Sequence, residues 1–376
     1  MIRTTPLRRP LALLTCALVA GACLAAEPAA PASAGAATSA PSAAAPAPAA
    51  ATTPAADGLP AVPTGGPTRI DLKRPEIAAF IKREVEHGWD AKALRKLLGQ
   101  AESQPKIIEA MNRPAEKALQ WWEYRARFMT RERVDAGARI WREHRPELEA
   151  AAMQYGVEPE YLLAITGVET YYGRITGRYR VLDALATLAF DYPPRAEYFR
   201  KELDQYLQIV RSGELDPLTT QGSYAGAMGV TQFMPSSFRN FAVDEGGSGK
   251  RDLWNDWGDI FASVGNYFRG NGWASGQQVI AEAEQGTAPD LAAPTSVALN
   301  ETLGSLRQRG MRIASDLPDA TPCVLIAARE ADGPRWRVGL KNFYVITRYN
   351  RSPLYAMAVH DLATALRARV SAPDAP

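Results

Sequence analysis

Between residues 26 and 67 the chain is almost entirely Ala, Pro, Ser, Thr and Gly, as in "PAAPASAGAATSAPSAAAPAPAAATTPAA". Such a stretch has no large apolar side chains whose burial would offset the entropy lost on ordering. Residues 24–67 therefore read as a disordered, extended linker, and any packed fold must be built from about residue 68 onward. The remaining chain is long enough for a sizeable core, since 46% of the 376 residues are hydrophobic. A net charge of +2 lacks the strongly basic footprint of a nucleic-acid binder.

Ahead of the linker, "MIRTTPLRRPLALLTCALVAGACLAA" places Arg3, Arg8 and Arg9 before a short apolar run and then small residues. This is the layout of a secretory signal peptide over residues 1–23, too short and wrongly flanked for a spanning helix. No later segment is apolar enough to cross a bilayer, so the expected product is an exported, water-soluble domain. Cys23 follows "VAGA", which resembles a bacterial lipobox with Ala20 where leucine is usual. Lipidation of Cys23 would tether the domain to a membrane through the linker; ordinary cleavage near Ala25 or Ala26 is the alternative. With only Cys16, Cys23 and Cys323 in the chain, a disulfide framework or cysteine metal site is not expected.

Apolar periodicity of about 3.6 predicts helices over 75–89, 91–100 behind the N-cap Asp90, 114–129, 133–156, 158–172, 195–211 and 256–270. After Trp273, β-branched runs broken by Gly, Pro and Asp predict strands at 322–329, 334–339 and 343–347. A final helix is expected behind the N-cap Ser352, with Pro353 at its first position. The fold class is mainly α, of α+β type. Its expected parts are a helical domain (68–150), a core (151–273), a small mixed lobe (274–347), a C-terminal segment packing back (348–370) and a tail (371–376).

Within "LLAITGVETYYGR", Glu169 shares a helix face with Leu162 and Ile165. With Gly173 as the expected terminator, Glu169 falls in the last helical turn. Both the macrodipole there and partial burial raise a carboxyl pKa, which suits a general acid. The plain alternative is a structural ion pair with Arg174 or Arg178, or a solvated side chain. The segment "GSYAGAMGVTQFMPSSF" (222–238) combines Gly226 and Gly229, which allow close backbone approach, with the neutral donors Ser223 and Gln232. Tyrosines recur at 124, 171, 172, 224, 267, 349 and 355. Aromatic faces with neutral hydrogen-bonding groups suit a sugar polymer.

Five segments, "GVETYYGR", "LATLAFDYPPRAEYFRKEL", "GSYAGAMGVTQFMPSSF", "LWNDWGDIFASVGNYFRGNGW" and "NFYVITRYNRSPLYAMAV", resemble the lytic murein transglycosylase B family in order and spacing, from about Ile70 to Leu366. The resemblance implies a lysozyme-like catalytic core with a surrounding helical domain and a small β-containing lobe. It also implies cleavage of peptidoglycan glycan strands. Carried over residue by residue, it makes Glu169 the single catalytic acid/base and puts Ser223 and Gln232 in the cleft lining. Tyr124, Tyr267, Tyr349, Asn350 and Tyr355 fall around the cleaved sugar; Tyr224, beside Ser223, joins the candidate sugar contacts. Arg195 matches one of two arginines near the peptide-bearing end, the other position being Pro194 here. Tyr171 and Tyr172 stand where a basic residue and a tryptophan are expected, which should alter a cleft wall.

Most glycosidases need two carboxylates, and the other candidates, Asp183 and Asp191, lie in no motif for that role; Asp191 is expected to order the "FDYP" turn. A missing second carboxylate fits a substrate-assisted reaction giving a 1,6-anhydro sugar, with no cofactor required. "DEGGSGKRDLWNDWGD" (244–259) resembles a calcium loop, with Asp244, Ser248 and Asp259 as candidate ligands. Its neutral Gly246 and Ser248 predict no tightly bound calcium. His87, His144 and His360 show no paired metal-ligand spacing. The expected setting is the periplasm, anchored to the outer membrane, with peptidoglycan as partner, other cell-wall enzymes as further candidates and no nucleic acid. The rival readings are a hydrolytic muramidase, a non-cutting wall-binding scaffold and a helical adaptor.

Overall fold

The computed structural model describes residues 60–112, 119–286 and 297–372. The signal peptide, Cys23, nearly all of the linker and the last residues of the tail lie outside them. The helical layers begin with α1 (Pro75–Glu86), α2 (Ala91–Leu98) and α3 (Pro105–Asn112). Asp90 caps α2 as expected, its Oδ1 accepting from the Ala93 N–H at 2.7 Å. A two-residue bridge pairs β1 (Thr68–Arg69) with β2 (Glu102–Ser103).

Of the helix expected over 114–129, residues 113–118 are outside the described set, and α4 spans Trp121–Ala126. The helix expected over 133–156 is two helices, α5 (Arg131–Glu143) and α6 (Arg145–Tyr155), parted at His144. Pro146 explains the break, because it has no N–H to donate and its ring crowds the carbonyl four residues back. A domain boundary at residue 150 would therefore cut α6. Helix α7 (Pro159–Thr170) comes next, buried almost all round.

Residues 181–190, "VLDALATLAF", form α8 (Val181–Phe190), in which every residue is buried. An all-round apolar helix has no amphipathic stripe to betray it in the sequence. After β3 (Tyr179–Arg180), which pairs with β4 (Gln221–Gly222), come α9 (Ala196–Arg211), the short α10 (Pro235–Phe241) and α11 (Trp257–Gly270). Helix α8 packs on α9, and α6 packs on α11.

The small lobe is a five-stranded antiparallel sheet, ordered β6-β8-β9-β5-β7. Its strands are β5 (Ile280–Gln285), β6 (Glu301–Thr302), β7 (Met311–Ile313), β8 (Pro322–Glu330) and β9 (Gly333–Gly339), with the short helix α12 (Leu303–Gln308) attached. Alternation along β8 serves two cores. Val324, Ile326 and Ala328 join the main core, while Cys323 and Leu325 join a second cluster with Leu303, Leu306, Trp336 and Val338. This is why β8 reads as a continuous apolar run.

The strand expected at 343–347 is instead part of α13 (Lys341–Tyr349). Phe343, Ile346 and Tyr349 recur at helical spacing and are all buried, so tertiary packing overrides the β-branched composition. The buried Asn342 fixes its start: Oδ1 accepts from Ala274 N at 2.9 Å, and Nδ2 donates to Ala274 O at 2.7 Å. A Cβ on Gly339 would lie 2.4 Å from the Phe343 ring, so this close approach requires glycine. Helix α14 (Pro353–Ser371) closes the chain behind Ser352, whose side chain accepts from Tyr355 N. It packs on α7, α5 and α4.

Asp361 on α14 ties three layers together. It accepts from Arg125 of α4 at 2.7 Å and from Arg337 of β9 at 2.8 Å, while itself 8% exposed. Replacing Asp361 by Ala removes the carboxylate that Arg125 and Arg337 share and leaves the largely buried Arg337 with only the exposed Glu282, at 3.0 Å. The expected cost is about 2–4 kcal/mol of unfolding free energy, read by urea denaturation; a loss below the measurement error would contradict the clasp.

Candidate functional site

Helix α7 ends at Thr170, three residues before the glycine expected to terminate it. Tyr171, Tyr172 and Gly173 are all left-handed, with φ of 53°, 57° and 84°. Two non-glycine residues in that region are costly, and their side chains show what compensates. The Tyr171 ring lies between two guanidinium groups, Arg133 at 4.3 Å and Arg174 at 4.6 Å. The Tyr172 ring fills a slot over Gly137 and Gly167, where a Cβ would meet its atoms at 2.3 Å and 2.8 Å. Tyr172 is thus interior packing rather than a cleft wall. Arg133 also donates to the Gly167 carbonyl in the last turn of α7. Thr170 finishes the anchor, donating to Val230 O at 3.0 Å.

This termination fixes Glu169 in the last turn of α7. Its carboxylate is not paired with Arg174 or Arg178. Instead the Tyr355 hydroxyl donates to Glu169 Oε1 at 2.6 Å. Burial pushes the Glu169 carboxyl up from 4.5 to about 7, with the Tyr355 hydrogen bond acting in the opposite sense. Tyr355 is the third residue of α14, so the Ser352 cap that begins the helix also aims the phenol.

Around this pair the structure gathers several expected residues. Burial and the nearby Glu169 charge both raise the phenols of Tyr349, Tyr355 and Tyr267. Their hydroxyls, however, are not equivalent. Tyr349 donates to Thr231 O at 2.7 Å and Tyr267 to Arg348 O at 2.6 Å. Both hydroxyls are thus spent on backbone carbonyls, and these two tyrosines brace the surroundings of Glu169. Their rings pack at 4.7 Å from each other and flank Phe233 at 5.7 and 5.9 Å. Tyr124, buried against Phe128 at 5.1 Å, adds its field to that of Tyr355. Asn350, partly buried just past the end of α13, accepts from Ser352 N at 2.8 Å and so helps set the α13–α14 corner.

Segment 222–234 is a tightly bonded wall. Ser223 N donates to Ala227 O at 2.8 Å, and Ser223 Oγ accepts from Ala227 N at 3.0 Å, leaving the hydroxyl proton available. A Cβ on Gly226 would come within 2.6 Å of Leu185, and one on Gly229 within 2.5 Å of Leu253 O. Gln232 is itself left-handed (φ 50°), and its Nε2 donates to Thr176 O and Gly229 O. It therefore locks the turn after α7 to this wall. Tyr224 is 41% exposed beside Ser223. Arg195 stacks on Tyr198 at 4.6 Å and Phe199 at 5.1 Å, at the start of α9. No described hydrogen bond joins it to the Glu169 group.

The other two candidate carboxylates are fully engaged elsewhere. Asp183 binds Arg180 and the Glu102 N–H, and Asp191 accepts from Arg74 at 2.5 Å. Asp191 thus links to the chain ahead of α1, beyond any local turn. Two residues escaped the sequence reading. Arg133 lay in an ordinary charged helix face, and Glu202 in another. Buried Glu202 accepts from Ser236 N at 2.9 Å and Ser236 Oγ at 2.7 Å, capping α10 below the wall. Only the spatial partners of these side chains distinguish them.

In the 244–259 loop, Asp244 accepts from Ser248 N and Gly249 N, and Asp259 from Glu245 N and Asp252 N. Backbone amides order these two carboxylates, while the intermediate positions Gly246 and Ser248 are neutral, so few charged oxygens are available to a cation here. The residues present do not fit a tight calcium site. His144 stacks on Trp257 at 5.3 Å, and His360 Nδ1 lies 2.7 Å from the Tyr161 hydroxyl, both structural placements.

Comparison with known proteins agrees with this arrangement. The transglycosylase SLT domain model matches residues 73–364. The chain is 40% identical over 302 residues to membrane-bound lytic murein transglycosylase B of Escherichia coli K12, covering 78% of this chain and 82% of that protein. It is similar to the catenated lytic transglycosylase SltB1 of Pseudomonas aeruginosa, with a TM-score of 0.76 at 43% identity, covering 79% and 98% of the two chains. It also matches E. coli Slt35, solved in complex with calcium, with a TM-score of 0.74 at 38% identity, covering 83% and 97%. These matches over most of the chain, together with the lysozyme-like core, place the chain in the transglycosylase SLT-domain family, the lytic transglycosylases of peptidoglycan.

Proposed function

We propose that Glu169 performs both proton transfers of the lytic reaction. The observation that carries this reading is a cleft carboxyl raised to about 7 and held by the Tyr355 hydroxyl. Protonated, Glu169 donates to the glycosidic oxygen between N-acetylmuramic acid and N-acetylglucosamine as the bond to C1 breaks. The muramoyl N-acetyl group stabilises the oxocarbenium-like centre. Ionised Glu169 then takes the proton of the muramoyl C6 hydroxyl, whose oxygen closes on C1 to give the 1,6-anhydro end. No water is consumed, and Glu169 is returned protonated. The intramolecular nucleophile needs only correct positioning, for which the Ser223 hydroxyl and exposed Tyr224 are the available groups. No cofactor enters this scheme, and calcium is not required. Arg195 is the candidate for the anionic peptide stem, with Pro194 leaving that subsite weaker.

Tyr355 has two effects. Its hydrogen bond favours the ionised form and so restrains a pKa that burial alone would push higher. Its donation to Oε1 also fixes the rotamer that presents the acid.

The lipobox-like Cys23 and the long linker support a periplasmic enzyme tethered to the outer membrane through an N-terminal lipid. No helix among the described residues is long and apolar enough to cross a membrane. Replacing Cys23 by Ala is expected to move the protein from the membrane fraction to the soluble periplasmic fraction and to abolish labelling by a palmitate analogue. Unchanged fractionation would remove the anchor from this reading.

Mass spectrometry of digested peptidoglycan tests the chemistry. Wild type should yield anhydro-muropeptides, and Glu169→Gln should lower the rate by about 10²-fold or more. Reducing-end products would make the enzyme a hydrolase; binding without products from wild type would make it a scaffold.

The raised pKa also has a stability sign. The folded state holds the proton more tightly than the unfolded chain, so native stability is lost as pH rises from 4.5 to about 7. Glu169→Gln removes that loss. It should stabilise the protein by about 3 kcal/mol more at pH 8 than at pH 4.5, measured by chemical denaturation. In Tyr355→Phe the alkaline limb of kcat/KM should shift to higher pH while kcat falls; an unshifted limb would contradict the assignment.

A further inference from the structure

Away from the cleft, the last turn of α1 and the middle of α9 bring together three metal-ligating side chains, Glu84, His87 and Asp204. Glu84 and His87 stand three residues apart at the end of one helix, a spacing that points both toward one neighbour. The structure supplies the third group from across the interface. His87 Nδ1 lies 3.8 Å from Glu84 Oε2 and 3.9 Å from Asp204 Oδ1. All three donor atoms lie within 4.8 Å of one another.

The environment of Glu84 is what makes this more than a cluster of acids. Its side chain is fully buried, and Oε1 takes the Arg83 guanidinium at 3.1 Å. Oε2, however, is buried without a hydrogen-bond donor among the described residues. An orphaned, buried carboxylate oxygen is expensive. Asp204 faces it with another acceptor and is only partly covered by Gln205 and Gln208, at 3.0 and 3.2 Å. Two carboxylates and an imidazole nitrogen that converge with no hydrogen bond among them call for either a shared proton or a cation.

We propose that Glu84, His87 and Asp204 form a binding site for a divalent transition-metal ion, with zinc the best-matched probe. One imidazole nitrogen and two carboxylate oxygens suit zinc, whereas calcium prefers an all-oxygen shell. Tetrahedral ligands at about 2.0–2.1 Å from zinc are about 3.3 Å apart. The present 3.8–3.9 Å separations close to that by small rotations of His87 and Asp204. Both retain the freedom to move, because the His87 side chain is 50% exposed and that of Asp204 20%. The exposed side leaves room for water as the fourth ligand. The bound ion would staple α1 to α9 beside the existing bond from Arg211 to the His87 carbonyl, 2.8 Å. Its role is thus to hold the outer helical layer on the core, remote from the chemistry at Glu169.

The test is isothermal titration of zinc chloride into chelator-treated full-length protein, with thermal unfolding in parallel. One ion should bind per chain, and Tm should rise by about 5 °C at a hundredfold excess over Kd. His87→Ala and Asp204→Asn should each weaken binding at least about tenfold, while Asp244→Asn in the 244–259 loop leaves it unchanged. Because His87 is half exposed, its replacement is not expected to prevent folding. Absence of zinc binding by wild type, or undiminished binding by His87→Ala, would overturn the proposal and leave Glu84 and Asp204 as a proton-sharing pair.

Discussion

The hydrogen bond from Tyr355 to Glu169 joins two helices that are 186 residues apart in the chain, and much of the molecule exists to hold its ends. Glu169 is placed by a helix buried nearly all round and stopped by three consecutive left-handed residues. Tyr355 is placed by a capped helix that α13 delivers to the right corner. Neither side chain would carry chemistry alone. A glutamate at a helix end in water is an ordinary acid with a pKa near 4, and a surface phenol is merely a polar aromatic group. Excluding water from the carboxyl, while leaving it one strong donor, gives a group able to give and retrieve a proton near neutral pH.

The tyrosines behind the site show how burial is managed. Tyr267 and Tyr349 turn their hydroxyls to backbone carbonyls, so a polar aromatic layer is buried with its donors satisfied. The layer also knits α11, α13 and the wall at 228–233 into one block. Gln232 and Thr170 connect that wall to the end of α7. The turn after Glu169 is therefore held by hydrogen bonds to a segment some sixty residues further along the chain, Thr170 to Val230 and Gln232 to Thr176. Replacing the residues expected after "GVET" by Tyr171 and Tyr172 leaves this frame intact. One tyrosine fills a glycine-lined slot, and the other is clasped by Arg133 and Arg174.

Local rules were legible wherever the signal was itself local. The Asp90 and Ser352 caps, the helix beginning at Pro159 and the strands on both sides of Gly333 arise from the residues that form them. The sequence reading failed where burial overrode a local preference or erased a periodic signal. Helix α8 is apolar on every side, so no stripe marks it, and α13 carries β-branched residues that its packing bends into a helix. Pro146 is the local signal for the break at His144 inside the span 133–156.

From the residues alone came the mainly helical character and the place of Glu169 in the last turn of a helix. Each is a consequence of composition or of motifs confined to a few neighbouring positions. Tertiary structure decided which tyrosine touches the acid, which two brace it and that Asp183 and Asp191 are held by arginines. It also brought Asp204 to Glu84 and His87. These decisions depend on contacts between segments up to 186 residues apart, and a pKa depends on everything packed around the carboxyl, not on its neighbours in the chain.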